Sequence, residues 1–371
     1  KLRRSIFCGL LGCLLVTGIP AAQENVPPAY EAARSLAGTI HVWGPANMAA
    51  LARNWVEGFQ RVQPGVKVEF TLLGSDTAIP GLYSGRADIA FLGRENNITD
   101  DNGFFRPMQY KPVRFELTTG SLDVPGKTNA LVVFVHRDNP LARLTLAQLD
   151  ALFGHERLRG APKNIRTWGD LGLTGEWADK PIQPYGWKVD EDFALFFRER
   201  VLGDSHRWNP AIKEYVHVIR ADGTQYDHGQ QILDALATDR YGIAISNIRY
   251  ANPDVRTVAL SWSAAGPAVQ ADKATLIAQQ FPLVRIIPAF IDRAPGKPVD
   301  PAVREFMRFM LSREGQQALV EETGYLPMDA AIIARQLAEL VAVFPMMAVD
   351  QLDHVELGIF ILKQREQLCQ Q

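Results

Sequence analysis

Residues 38–60 read GTIHVWGPANMAALARNWVEGFQ, a short apolar segment followed by a loop of small residues and an amphipathic pattern. GTIHVW is typical of a short buried strand. From position 47 onward, apolar residues recur at the spacing that places them on one face of a helix. They are Met48, Leu51, Trp55, Val56 and Phe59. We predict a strand over TIHVW and a helix over 47–63. A strand, a small-residue loop and a helix N-terminus in succession can hold an anion.

The same alternation continues along the chain. VKVEFTLL (66–73) predicts a second strand and ADIAFLG (87–93) a third. Between them, GSDTA (74–78) is typical of a polar loop and AIPGLYSG (78–85) of a short helix. DDNGFF (100–105) lacks the spaced ligands and closing Glu of an EF-hand, so a turn is expected there. Strands that alternate with helices indicate a mainly parallel sheet with helices on both faces.

Two longer apolar segments divide this pattern. NALVVFVHRDNP (129–140) and PLVRIIPAFI (282–291) both predict strands, and helices are expected between them at 191–202 and 230–238. This arrangement predicts two α/β lobes with the chain crossing between them twice. The expected division is a linker at 23–37, lobe I at 38–127 plus 284–330, lobe II at 128–283, and a C-terminal helical extension at 331–371.

The N-terminal segment predicts a signal peptide. KLRR is basic, the apolar run after it is too short to span a bilayer comfortably, and small residues follow where a peptidase cleaves. We therefore predict a signal peptide over 1–22 and a periplasmic protein. LLGC, ending at Cys13, offers lipoprotein anchoring as a less favoured alternative. Cys369 is hypothesised to be a dimerising thiol, although a monomer is the expected state.

Composition and motifs exclude several classes of function. The 371 residues carry a net charge of −2, so the chain lacks the excess of basic residues that binding to nucleic acid requires. No P-loop, G-x-S-x-G, H-E-x-x-H or G-x-G-x-x-G pattern occurs, which lowers the case for an enzyme. The seven histidines are scattered singly, and after signal cleavage the chain would retain one of its three cysteines. We expect no catalytic site, no metal site and no cofactor.

Several segments, taken in order, match a known family. They are GSDTAIPGLYSGRADIAFLGRE (74–95), ALVVFVHRDNPLARLTLAQLDALF (130–153), TWGDLGLTGEWADKPIQPYG (167–186), YGIAISNIRY (241–250) and REFMRFMLSREGQQALVEETGYLPM (304–328). In these segments the chain resembles the periplasmic phosphate-binding proteins that serve ABC importers, the PstS-like branch of the class II periplasmic binding proteins. The resemblance covers roughly residues 38 to 330, a span suited to one two-lobed body.

The resemblance implies a hinged two-lobed fold that closes on an oxyanion, with phosphate as the expected ligand, and delivers it to an ABC permease of the inner membrane. Domain closure would supply the second half of the site. Two alternatives stay open. One is a secreted sensory or adaptor protein on the same fold with an altered or lost ligand site. The other, less favoured, is a hydrolase that uses clustered carboxylates.

The family's first three anion loops match positions in the N-terminal part of this chain. The resemblance implies ligand contacts from Ala46, Asn47, Gly74, Ser75, Asp76, Thr77 and Arg94. Helix capping is the alternative role of Asn47, Ser75 and Thr77, and a surface salt bridge is that of Arg94. Asp76 replaces a family glycine and would either repel the anion or accept its proton. Gly93 replaces a family serine.

The fourth loop departs most from the family pattern. GWKVDEDFALFF (186–197) has Trp187 where the family has an arginine, and acidic residues where it has hydroxyls. Trp187, Lys188 and Asp190 are the candidate contacts of this loop. Lys188 would partly compensate the acidic charge, and Trp187 would stack on a ring. Acidic side chains also suit a helix N-terminus electrostatically, which is their alternative role.

Overall fold

The computed structural model describes residues 26–320 and 323–342. The predicted signal peptide, the lipoprotein site at Cys13, the C-terminal segment after 342 and Cys369 lie outside them. The strands are β1 Gly38–Trp43, β2 Val66–Thr71, β3 Ile89–Phe91, β4 Val113–Thr118, β5 Leu131–His136, β6 Arg143–Thr145, β7 Gln183–Trp187, β8 Lys213–Tyr215, β9 Val218–Ile219, β10 Gln225–Tyr226, β11 Gly242–Asn247, β12 Val255–Thr257, β13 Ala259–Ser261 and β14 Ile287–Ile291.

The helices lie between these strands and at the C-terminal side. They are α1 Ala49–Val62, α2 Ser75–Tyr83, α3 Ile98–Met108, α4 Leu146–Phe153, α5 Asp192–Val201, α6 His228–Leu236, α7 Lys273–Ile277, α8 Pro301–Met310, α9 Arg313–Val320 and α10 Ala330–Val341. Short 3-10 helices occupy Ala46–Met48, Trp168–Leu171, Gly175–Trp177 and Ile248–Tyr250. None of the helices within 26–320 and 323–342 is long and apolar enough to cross a membrane.

The first sheet joins the N-terminal strands to a strand from near the C-terminus, in the order β2, β1, β3, β14, β4. β1 pairs in parallel with both β2 and β3, whereas β14 runs antiparallel to β3 and β4. Because β1, β2 and β3 run in one direction, the loops that follow them leave the same edge of the sheet. The predicted anion loops are therefore neighbours in space.

The second sheet contains only strands from the middle of the chain, in the order β12, β5, β11, β7, β8. β7 pairs in parallel with β11 and β8, whereas β5 runs antiparallel to β11. The carboxyl ends of β7, β8 and β11 thus share one edge. All six residues of β11 and five of the six in β5 are buried, as a central sheet covered on both faces requires.

Each sheet carries its own apolar core, and the chain passes between them at residues 119–130 and again at 278–286. The predicted fold class, a two-lobed α/β architecture, is confirmed. We keep the predicted lobe limits, 38–127 plus 284–330 and 128–283, as a proposal. It is supported by where these two crossings lie. Residues beyond 330 begin with α10, which contributes buried Ile333 and Leu340 to the first core.

Several element limits differ from the sequence prediction. The helix predicted over 47–63 is a 3-10 turn followed by α1. α2 begins at Ser75, inside the segment predicted as a loop, because Gly74 adopts a φ of 114° that turns the chain directly into the helix. β14 includes only the second half of the strand predicted at 282–291. The first half belongs to the second crossing, where Leu283 accepts a hydrogen bond from Leu131.

The turn predicted at DDNGFF is wrong, because these residues lie inside α3. Asn97 caps this helix by accepting hydrogen bonds from the backbone of Thr99 and Asp100, and the Asp100 carboxylate accepts from the backbone N–H of Asn97. This reciprocal arrangement is a capping box with Asp in the place usually taken by Glu. The strong cap explains a helix that contains both Gly103 and Pro107.

The core of the first lobe predicts a test of the fold. Trp55 of α1 is fully buried, packs edge-on against Phe91 at 5.7 Å and donates its indole N–H to the Gly315 carbonyl at 2.9 Å. Trp55→Ala should lower the free energy of unfolding by about 3–5 kcal/mol. The exposed Val62 on the same helix offers a control, since Val62→Ala should change it by less than about 0.5 kcal/mol. Urea unfolding followed by circular dichroism measures both, and equal losses would contradict this packing.

Candidate functional site

Gly93 is the point where the loops of the first lobe meet. It follows β3, and its backbone N–H donates to the hydroxyl of Ser75 at 3.0 Å. Its carbonyl accepts from the hydroxyl of Thr128, which lies in the first crossing. These two bonds connect the loop after β3 to the start of α2 and to the connection between the lobes.

Gly93 has no room for a side chain. A Cβ placed on it would lie 2.8 Å from Cγ of Pro45 and 3.0 Å from Oδ1 of Asn47. Any side chain at this position would therefore overlap the ring of Pro45. Gly93 and Pro45 are thus sterically coupled.

The first two loops are held together by their backbones. The N–H of Gly74 donates to the Gly44 carbonyl at 3.1 Å. Ala46 and Asn47 are exposed at this edge. Neither Ser75 nor Thr77 is the N-cap, which is Gly74; Thr77 instead donates its hydroxyl to the Gly74 carbonyl at 2.8 Å. The Ser75 hydroxyl accepts from Gly93 and retains its own proton for donation.

Arg94 already has carboxylate partners. Its guanidinium contacts Asp100 at 2.6 Å and Asp76 at 2.7 Å, and donates to the carbonyl of Glu95. Burial opposes its charge, but the hydrogen bonds to Asp100 and Asp76 outweigh burial and raise the pKa of Arg94. Asp100 is buried against the α3 cap, whereas the Asp76 side chain is 90% exposed. Asp76 is thus the partner that an incoming anion can displace.

A second cation lies beside the first loop. Lys127 donates its ammonium to the Asn47 carbonyl at 3.0 Å and lies 4.9 Å from the centre of the Tyr325 ring. Burial lowers the pKa of Lys127. Within 26–320 and 323–342, no carboxylate pairs with this ammonium. Lys127 therefore offers this edge a positive charge that no acidic side chain already neutralises.

A buried ion pair joins the third loop to the second crossing. Glu95 accepts from Nε of Arg285 at 2.7 and 2.6 Å and from the backbone N–H of Ile286 at 2.8 Å. The Arg285 side chain is 2% exposed, and its guanidinium lies 4.5 Å from the centre of the Phe196 ring on α5. One side chain of the crossing therefore contacts both lobes.

A cavity of about 10 Å³ lies between the lobes at this point, with room for a single water. Its walls are formed by the segment after β3, by α5 and by Arg285, through Arg94, Glu95, Asn96, Asn97, Asp192, Leu195, Phe196, Glu199 and Arg285. The Asp192 carboxylate adds to the raised pKa of Arg94. The acidic start of α5 thus faces Arg94, and the space between them is too small for an anion.

The candidates of the fourth loop do not converge on this edge as a group. Trp187 ends β7 and is 2% exposed, stacked on Phe193 at 5.0 Å. Its ring is therefore part of the second core and does not offer a free stacking face. Lys188 and Asp190 are exposed and pair with each other at 2.8 Å.

The structure thus brings the seven predicted residues of the first lobe to one edge and separates the three of the second. Sequence reasoning missed Lys127, Thr128 and the Glu95–Arg285 pair. The available signal was the position of Glu95 directly after Arg94, at the end of a predicted strand. Lys127, Thr128 and Arg285 gave no such signal, because their roles depend on contacts between distant segments of the chain.

Comparison with known proteins gives consistent matches. A family model described as a PBP superfamily domain matches residues 29–314. The phosphate-binding protein PstS of Pseudomonas aeruginosa is 31% identical over 322 residues, which are 86% of this chain and 92% of that protein. Protein SphX of Synechococcus elongatus is 22% identical over 318 residues, 84% of either chain.

A solved structure shows the same fold. PstS from Borrelia burgdorferi aligns with a TM-score of 0.53 at 14% sequence identity, covering 78% of this chain and 99% of its own.

The contact between Gly93 and Pro45 predicts a compensating pair. Gly93→Ala should destabilise the protein by about 1–3 kcal/mol, because the new methyl group overlaps the proline ring. In the background of Pro45→Ala the same change should cost clearly less. Urea unfolding of the four proteins forms a double-mutant cycle, and purely additive effects would contradict the proposed steric coupling.

Glu199, in the wall of the cavity, predicts a pH dependence. Burial, followed by repulsion from Asp204, raises its pKa from 4.5 to about 7. Because the pKa of Glu199 is raised by folding, the folded protein holds this proton at pH values where the unfolded chain has lost it. The contribution of protonated Glu199 to the free energy of unfolding is full below pH 4.5 and is lost as the pH rises through 7.

Glu199→Gln should therefore raise the melting temperature at pH 8, by roughly 2 °C or more, and change it little at pH 4.5. The exposed Glu57 of α1 offers the control Glu57→Gln, which should show no such pH-dependent difference. Differential scanning fluorimetry across this range measures both variants. An equal shift of Glu199→Gln at every pH would exclude the raised pKa as the cause.

Proposed function

The chain belongs to the PBP superfamily and, within it, to the family of the PstS phosphate-binding proteins, and from this premise we propose that it captures phosphate between its two lobes. It then delivers the anion to an ABC import permease. This role is binding and transfer rather than catalysis. In this proposal the protein acts as a monomer in the periplasm, directed there by the N-terminal segment.

The observation that carries the proposal is the convergence of three loops at one sheet edge. The loops after β1, β2 and β3 meet at Gly93, and α2 begins there with its positive dipole end. Exposed Asn47 and half-buried Ser75 supply side-chain donors. Arg94 and Lys127 add two cations. Such a set of donors binds a phosphate without a dedicated metal or cofactor.

The geometry supports an exchange of partners at Arg94. In this structure, exposed Asp76 takes one side of the guanidinium. A phosphate offers oxygens with more charge, so it replaces Asp76 while Asp100 keeps the arginine oriented. The Asp76 carboxylate, released beside the anion, accepts a hydrogen bond from a protonated phosphate oxygen. Ligand binding then needs little movement within the first lobe.

The second lobe contributes by closing. α5 contacts the first lobe through Arg285, and its acidic first turn faces Arg94. The lobes open to admit phosphate, which moves this acidic turn away from Arg94, and they close again over the bound anion, with the crossings at 119–130 and 278–286 as the hinge. The permease would release the anion by holding the lobes apart.

Isothermal titration calorimetry with phosphate tests the proposal. The wild-type protein should bind one phosphate, and Arg94→Met should weaken binding by roughly 10- to 100-fold, the value of a charge-assisted bidentate contact. The exposed Arg86 on the same lobe provides the control, since Arg86→Met should leave affinity unchanged.

Two results would overturn the proposal. The first is a wild-type protein that gives no heat with phosphate at any concentration below millimolar, which would favour a sensory or adaptor role on the same fold. The second is equal phosphate affinity of Arg94→Met and Arg86→Met, which would place the ligand site elsewhere.

A further inference from the structure

A small hairpin in the second lobe brings together residues that are distant in sequence. β9 and β10 pair antiparallel, with Val218 opposite Tyr226. His217 directly precedes this pair and Asp227 directly follows it, so the register places them opposite each other. His228 comes next and begins α6. From sequence alone we expected no metal site, because nothing marks these two histidines as neighbours.

The three side chains form a compact cluster. One ligand atom of each lies within 4.8 Å of the others. His217 Nδ1 is 3.9 Å from Oδ2 of Asp227, and the two imidazole rings stack with centroids 3.9 Å apart. Two imidazoles and one carboxylate are a ligand set that zinc takes in proteins, with a fourth position left for water.

His228 is prepared to act as a ligand. It is 4% exposed, and within the described chain its Nδ1 is buried without a hydrogen-bond partner. An unpaired buried nitrogen is costly, and a metal ion would remove that cost.

The surroundings fix two of the three ligands. The His228 ring lies against Trp187 and Phe193, with centroids 6.2 and 5.9 Å away. Asp227 accepts from the backbone N–H of Gly229 at 2.8 Å and from the hydroxyl of Tyr250. Hydrogen bonds of this kind hold a metal-ligating side chain in the right orientation and adjust its affinity for the metal.

His217 is the exposed ligand of the three. Its side chain is 40% exposed, and Nδ1 accepts from the amide of Gln225 at 2.7 Å. Zinc bonds of about 2.0–2.2 Å need donor atoms closer together than they are here. An exposed ring can turn to close that gap, and the Gln225 amide is the partner it would give up.

We propose that His217, Asp227 and His228 bind one divalent transition-metal ion of the zinc class. Imidazole ligands favour zinc, copper or nickel over magnesium and calcium, which prefer oxygen. The site lies at the carboxyl edge of β7 and β8, where Phe193 of α5 packs against His228. This inference does not depend on phosphate binding.

Calorimetric titration of the metal-free full-length protein with Zn²⁺ alone tests the site. We expect one zinc per chain, with the affinity reduced at least about tenfold in His217→Ala and in Asp227→Asn. Asparagine retains the capping of α6, so loss of zinc in that variant is not loss of the helix. The exposed His155 of the same lobe supplies the control, since His155→Ala should bind zinc like the wild type.

Cobalt gives a second measurement that a merely structural role would not affect. Co²⁺ should show visible d–d absorption with the wild type and with His155→Ala, and lose it with His217→Ala. Wild-type protein without a stoichiometric zinc site would overturn the proposal. So would zinc affinity that is unchanged in both His217→Ala and Asp227→Asn. Phosphate is absent from these titrations, so their outcome is separate from that of the oxyanion experiment.

Discussion

The parallel pairing of β1 with both β2 and β3 is the constraint on which the binding edge depends. It brings three chain turns to one side of the sheet, so close that Gly93 contacts the first loop, the second loop and a crossing at once. At that density a side chain at Gly93 has no space beside Pro45. The backbone, rather than a cluster of charged side chains, therefore sets the shape of the edge.

Charge at this edge is balanced rather than simply positive. Arg94 carries two carboxylate partners, one buried and one almost fully exposed, while Lys127 makes contact with a carbonyl and an aromatic face. Such an edge holds its cations in place before a ligand arrives, which reduces the cost of ordering them on binding. Under the proposed function it would also discriminate by charge, because a ligand has to compete with the Asp76 carboxylate for Arg94.

Much of the fold could be predicted from the sequence because apolar periodicity records which faces are buried. The strand at 38–43 and the two-lobed division follow from it directly. The first and last residues of the helices and strands were harder to predict from this periodicity. The start of α2 depends on the positive φ of Gly74, and the start of β14 depends on the ion pair that holds Arg285 in the crossing. Both are fixed by contacts between segments far apart in sequence, which periodicity does not record.

The same distinction explains the fourth loop. Trp187 looked like a ligand-stacking residue because its position matches a family arginine, yet its ring is covered by Phe193 and meets the edge of His228. The indole thus supports a neighbouring side chain instead of a ligand. Burial of the indole depends on its contacts with Phe193 of α5 and His228 of α6, which a match to the family at this one position does not record.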